Sequence, residues 1–386
     1  RAILDKGHNF GTTDTNNAAE RMSGRPARTS PLYPILREKG AVFGPRMGWE
    51  CPLWFRSAEG EGEEWSATLA EARHILGKPG ISDASSKAKF AVAGGDAANF
   101  LARLCSDELP AVGESRRVRM LNRRGEIAAE VVVARLGDEQ FYLTAPARAE
   151  RRLHGWLSGN LPAISRTAID NLTARHGALL LAGPGVLDLL AGFSEADFKR
   201  PDAVVEAEMG FSLSTVLTSA EFDLPMVEMH MPMEYLVSTY ERLLAASPDL
   251  ADFGLGALDV HRLHKGRPEW STDFGSAAMP WAAALAGSDD SEGSSAKQAI
   301  AADRLAIIEA DEQSTAPKAG DALYQGDKIV ALARTVGPSL ESGRPRAIVT
   351  MRTPSVKHGT VLNWNTSKGL ISAKPIFFPV QTRHNG

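Results

Sequence analysis

Only two cysteines, Cys51 and Cys105, occur in 386 residues. They are too few for a disulfide framework and lack the paired spacing of a zinc site, so a reducing compartment fits and both read as plain buried or half-buried thiols. No uninterrupted apolar run approaches the ~20 residues needed to span a bilayer, and the polar start RAILDKGHNFGTTDTNN has no apolar signal core. A soluble chain is therefore expected, in the cytoplasm or in the mitochondrial matrix of a eukaryote. There is no long basic block either. The net charge of −4 and the pI near 6.2 arise from interspersed charges, which argues against nucleic acid or membrane as a partner. Also missing are a G-x-G-x-x-G after a strand, a P-loop lysine and a G-x-S-x-G elbow, and GLGAL (254–258) lacks the third glycine. A nucleotide- or flavin-binding fold within the chain is thereby rejected. Arg instead of Met at position 1 suggests a processed or excised polypeptide.

What is present is enough apolar residue, 43% of the chain, to bury more than one core. Residues 1–55 begin rich in Gly, Asn, Thr, Arg and Pro and read as an extended lead-in. In the core expected over 56–286, KFAVAG (89–94) alternates like a half-buried strand, and Asp96 is placed to cap a helix with Ala97, Phe100, Leu101 and Leu104 on one face. IAAEVVVARL (127–136) and QFYLTA (140–145) read as a hairpin across a polar turn. ALLLAG (178–183) leads into a Pro-started helix, and MVEMHMP runs into helical spacing over 233–246. GSDDSEGSSAKQ (287–298) has linker composition. After it, RLAIIEA, KIVALAR, RAIVTMR and PIFFPV are strand candidates for a small antiparallel barrel or sandwich over 299–386. Strands and helices in this order predict an α+β fold.

Three groups of residues suggest chemistry, each with a plainer reading beside it. Glu130 lies in the strand 127–136 with Ala128, Val132 and Ala134 on its face. If that face is buried, desolvation raises its pKa and makes it a proton carrier near an amine; otherwise it is a solvent-facing or edge-strand glutamate. His261 and His264, spaced i, i+3 near Asp259, offer one face to a metal, but no third ligand is evident, and HRLHKG also reads as a cationic helix end. Phe43, Trp49, Trp54 and Phe55 either stack on a flat heterocycle or form core.

GRPARTSPLYPILREKGAVFGPRMGWECPLWF (24–55) closely resembles the opening of the folate-binding region of dimethylglycine and sarcosine dehydrogenases. The resemblance continues in order through GISDASSKAKFAVAGGDAANFLARL (80–104), RMLNRRGEIAAEVVVARLGDEQFYLTA (119–145), ALLLAGPGVLDLL, VEMHMPMEYLVSTYERLL and FGLGALDVHRLHKGRPEWSTDF. It covers about 24–274 and identifies the chain as similar to the folate-binding aminomethyltransferase superfamily, which includes the glycine cleavage T protein. The T protein itself fits less well, because the 24–55 segment belongs to the dehydrogenase branch.

The resemblance implies a three-domain cloverleaf fold with a C-terminal barrel, and tetrahydrofolate in a central channel. It implies N-demethylation of a dimethylglycine- or sarcosine-like amine, with the one-carbon unit captured as methylene-tetrahydrofolate and FAD supplied only by a partner or an upstream domain. Glu130 then corresponds to the acid of the family, usually Asp. Glu221, Glu228, Asp259, Arg262, Leu121 and Trp270 fall at cofactor-binding positions, and no metal is implied. Departures are plain: the Tyr-x-Gly-Glu turn is replaced by TSAEFDLPMVEM, His264 stands where Glu is common, and ARTVGPSLESG replaces a Gly-rich turn. These departures keep two alternatives open: a non-catalytic module that retains the fold, and a direct methyl transfer giving methyl-tetrahydrofolate.

Overall fold

Alternating apolar residues give the chain its strands, and the register between strands decides what each face carries. The computed structural model describes residues 28–56, 64–209, 212–273, 304–311, 317–351, 360–366 and 369–376. The described residues divide into two units, one within Met22–Ala257 and one within Leu258–Gly386.

The first unit begins with α1 (Tyr33–Glu38) and the antiparallel hairpin β1 (Ala41–Arg46) and β2 (Trp49–Phe55). Residues 33–55, expected to end an extended lead-in, therefore fold. Leu32, Leu36, Phe43 and Phe55 pack into the main core of the unit, which supports the plainer reading of the aromatic group. Next come α2 (Glu64–Gly77), β3 (Gly80–Asp83), β4 (Ala88–Ala93), α3 (Ala97–Leu104), β5 (Ser115–Leu121), β6 (Ile127–Gly137), β7 (Gln140–Ala145), α4 (Glu150–Asn160) and β8 (Ala168–Asn171). They are followed by β9 (His176–Ala182), α5 (Val186–Ala191), β10 (Val204–Glu208), β11 (Leu213–Ser219), β12 (Met226–Pro232), α6 (Leu236–Ala246) and β13 (Ala251–Asp252). The sheets run β5-β6-β7-β4-β8 and β10-β11-β12-β9-β3-β13.

The β6–β7 hairpin forms as expected, and α3 buries Ala97, Phe100, Leu101 and Leu104. Asp96, however, makes no cap bond: its carboxylate accepts the Arg166 N–H at 2.8 Å and the guanidinium at 3.2 Å. Helix α5 starts two residues after Pro184, because Gly183 and Gly185 take left-handed backbone first. A Cβ on Gly183 would lie 2.4 Å from the Lys78 carbonyl oxygen and 2.6 Å from that of Ile75, so this turn requires glycine. Cys51 is buried and Cys105 half-buried, and burial pushes both thiols up to about 12.

The division falls within α7 (Leu255–Lys265), which is followed by α8 (Trp270–Asp273). In the second unit, β14 (Arg304–Ala310), β15 (Ala322–Gln325), β16 (Lys328–Pro338), β17 (Pro345–Met351), β18 (Leu362–Thr366) and β19 (Gly369–Ile376) close a barrel in the order β14-β17-β16-β15-β18-β19. Leu323, Val349, Leu362 and the fully buried Trp364 fill it. The expected α+β class with a small C-terminal antiparallel barrel is what the chain adopts. The linker-like run 287–298 and the residues of PIFFPV after Ile376 lie outside the described residues.

Candidate functional site

Each of the two large sheets of the first unit has a largely apolar face and a more polar one, and on the second sheet Leu180, Leu217 and Met226 stand among the polar residues of that face. On the β5–β6–β7–β4 sheet, Val118, Met120, Ala129, Val131, Val133 and Leu143 are buried on one face. Cross-strand pairs set the other face: Arg119 opposite Glu130, Arg117 opposite Val132 and then Thr144, and Thr144 opposite Lys89. On β12, Val227, Met229 and Met231 enter the core, so the intervening Glu228 and His230 take the opposite face. The polar faces meet. Tyr142 stands edge-on to His230 with ring centroids 5.3 Å apart, and Leu217 and Val204 pack on Ala134 and Tyr142.

An ion-pair cluster lies between these faces, in the region termed the slot. Arg119 Nε lies 3.3 Å from Glu130 Oε2, and Arg117 Nη1 lies 3.6 Å from Glu130 Oε1. Arg117 also pairs with Glu221, in the 3-10 turn Glu221–Asp223, where Phe222 and Asp223 both have φ +60°. Lys87 pairs with Glu228 Oε1, and His230 Nε2 lies 3.3 Å from Glu228 Oε2. Glu130 is thus neither solvent-facing nor an isolated desolvated acid: its side chain is 11% exposed and held by two guanidinium groups.

Burial and neighbours set the charge states. Burial disfavours the Glu228 carboxylate, yet Lys87 and His230 hold it well below the usual carboxylate range. Burial opposes charge on Glu221 as well, and Arg117 followed by Lys87 prevails and lowers it. Burial brings His230 down to about 4 against the pull of Glu228. It brings Lys89, whose Nζ donates to the Ser85 and Lys87 carbonyls, down to about 7. Tyr142 Oη, Thr144 Oγ1, Ser82 Oγ and His230 Nδ1 are buried on these faces without a hydrogen-bond partner.

Of the expected site residues, Glu130, Glu221 and Glu228 converge here. Leu121 ends β5 opposite Ile127, half-buried and outside the ion pairs. Asp259, Arg262 and Trp270 belong to the second unit. There Arg262 binds Asp259 at 2.8 Å, Asp273 at 2.7 Å and Thr335 at 3.0 Å, and Thr335 donates to Asp273 at 2.6 Å. Trp270 is buried at the start of α8. The guanidinium of Arg262 is engaged in tying α7, α8 and β16 together. His261 is buried on α7, which ends with Arg262, His264 and Lys265 before the left-handed Gly266, the cationic helix end. Among the described residues, no group of three or more His, Cys, Asp or Glu could hold a metal.

Arg117, Arg119, Lys87, Tyr142 and His230 were not among the expected site residues. Two signals in the sequence pointed to some of them: RVR puts both arginines on one strand face, and EMH does the same for Glu228 and His230.

The GCVT N-terminal domain model matches residues 32–288. Dimethylglycine dehydrogenase from Mus musculus is 27% identical over 288 residues, 69% of this chain and 32% of that protein, so the chain spans about a third of its length. The aminomethyltransferase of Caldanaerobacter subterraneus subsp. tengcongensis is 25% identical over 67% of this chain and 68% of that protein. The glycine cleavage system aminomethyltransferase T from Bartonella henselae superposes with a TM-score of 0.74 at 20% identity, over 90% of this chain and 96% of that one, which shows the shared fold. The chain belongs to the GCVT family, within the folate-binding aminomethyltransferase superfamily that its sequence resembles.

Proposed function

We propose that the chain is a tetrahydrofolate-dependent one-carbon transfer module. It acts in N-demethylation of a dimethylglycine- or sarcosine-like amine, with methylene-tetrahydrofolate as product and FAD contributed by a partner or an upstream domain. The convergence of Glu130 on β6, Glu228 on β12 and Glu221 in the turn between β11 and β12 carries this reading. The unpartnered polar atoms of Tyr142, Thr144, Ser82 and His230 fit a flat polar heterocycle, because burying such groups unpaired costs about 1–3 kcal/mol each.

When bound, tetrahydrofolate supplies the nucleophilic nitrogens that accept the one-carbon unit. Glu228, ionised and backed by Lys87, would hold the ring by accepting its N–H bonds. Glu130 holds or moves the proton at the amine, with Arg119 and Arg117 setting the position of its carboxylate. Of these side chains Glu130 is 11% and Glu228 20% exposed, whereas Arg117 and Arg119 reach solvent.

One observation favours a second reading. Glu130 is held by two guanidinium groups, as suits a module that keeps the fold without acid–base chemistry. Anaerobic calorimetric titration of the purified chain with tetrahydrofolate, repeated on Glu130→Ala and Glu221→Ala, decides between them. Binding that weakens in either variant is the expected result. No heat and no thermal stabilisation, where ligand at 100 times Kd adds about 2.7 kcal/mol, would overturn the proposal. Binding that is unchanged in both variants favours the second reading. Methyl- instead of methylene-tetrahydrofolate in a coupled assay would indicate direct methyl transfer.

A further inference from the structure

Glu228 and His230 lie two residues apart on β12 and share its slot-facing side. Lys87 occupies Glu228 Oε1, and His230 Nε2 approaches Oε2 at 3.3 Å. A carboxylate paired with an ammonium group only accepts hydrogen bonds, so the ring proton of a neutral imidazole must sit on Nε2. Nδ1 is then a bare acceptor, consistent with its having no partner although His230 is 1% exposed. The Tyr142 ring, set at 62° to the imidazole, packs against it and opposes its rotation.

The choice of donor matters chemically. A second cation beside Glu228 would cancel the charge that attracts an N–H donor. A neutral imidazole orients the carboxylate and leaves Lys87 as its paired cation. A carboxylate offers about four acceptor positions, and these contacts use two.

We infer that His230 is a positioning residue: as the Nε2–H tautomer it fixes the Glu228 carboxylate for a ligand edge that bears N–H donors. This rests on the reading that tetrahydrofolate enters the slot. It identifies the residue that orients the acceptor for its ring.

Two measurements on the full chain test the inference. Long-range 15N–1H correlation at neutral pH should show His230 protonated at Nε2 alone, with that preference lost in Glu228→Gln. In anaerobic titrations with tetrahydrofolate, His230→Leu should weaken binding about 10-fold, whereas His230→Gln, which restores an N–H donor, should stay within about 3-fold of wild type. Thermal unfolding of both variants identifies any loss of fold. An Nδ1–H tautomer or an imidazolium in wild type would overturn the inference, as would equal affinity in wild type and His230→Leu. Wild type that does not bind tetrahydrofolate removes the one-carbon reading and this role with it. Binding indifferent to residue 230 removes only the role of His230.

Discussion

Removing Arg117 should loosen the slot by a small, measurable and pH-dependent amount. Its guanidinium pairs with both Glu130 and Glu221 but is 47% exposed, whereas the two carboxylates are 11% and 27% exposed. Solvent screening keeps exposed pairs at about 0.2–1 kcal/mol, and the more buried acids place these at the upper end. Arg117→Met, which keeps the apolar stem, should therefore destabilise the 22–257 unit by about 2 kcal/mol, with Glu130 still retaining Arg119. A double-mutant cycle with Glu221→Gln isolates one pair and should give a coupling of about 1 kcal/mol, read from hydrogen exchange of β5 and β6 amides. Glu221 titrates below its ordinary value of 4.5. Its contribution is therefore fully present above pH 4.5 and is lost as pH falls through the folded value, so the coupling should fade in acid. A coupling that is absent at pH 7, or that survives full protonation of Glu221, would refute this account.

The remaining expectations concern other parts of the chain. His230, at about 4 in the fold against an ordinary 6.5, binds its proton more readily when unfolded, so stability should rise by up to about 3 kcal/mol as pH increases from about 4 to 6.5. His230→Gln should flatten that rise in pH-resolved denaturant titrations. Arg262→Ala leaves Asp273, which is 0% exposed, without its guanidinium, and should destabilise the 258–386 unit by about 3–5 kcal/mol in melting experiments. If Arg262 serves only a ligand, its melting temperature should not move. Gly183→Ala, facing two carbonyl oxygens inside 3 Å, should destabilise by more than the ~1 kcal/mol of an ordinary glycine replacement, and a neutral melting result would contradict the geometry of the turn.

How much could be read in advance depends on what alternation encodes. The β6–β7 hairpin, the α3 face and the three barrel strands β14, β16 and β17 were legible because their apolar period and turn residues are local. β18, with Leu362, Trp364 and Thr366 buried in alternation, carried the same signal inside a short polar stretch and was missed. The site was half legible. Alternation placed Glu130 with Val132 and Ala134, and the same rule puts Arg117 and Arg119 on one face. It does not say which strand lies opposite, and only the pairing of Arg119 with Glu130 brings acid and guanidinium together. Arg262 illustrates the converse: its sequence position resembles a cofactor contact, and alternation gives no sign of its partners Asp273 on α8 and Thr335 on β16.

The same geometry bears on the glutamate at 130, where the family usually has aspartate. The Glu130 oxygens sit 3.3 Å and 3.6 Å from Arg119 and Arg117, already at the long end for charge-assisted bonds. Glu130→Asp draws the carboxylate back by about 1.5 Å, one carbon–carbon bond, enough to release both guanidinium groups if the strands stay in register. If those pairs hold the acid out of service, the aspartate variant should raise the rate of methylene-tetrahydrofolate formation in a reconstituted assay with a flavin-dependent amine dehydrogenase, while folate affinity stays near wild type. If the longer side chain instead reaches the reacting amine where aspartate cannot, the same variant should lose rate, since a misplacement of about 1 Å can cost on the order of 100-fold. A gain assigns the arginines to restraint and a loss assigns them to placement. An unchanged rate, with binding intact, would refute both and leave Glu130 a structural partner of Arg117 and Arg119.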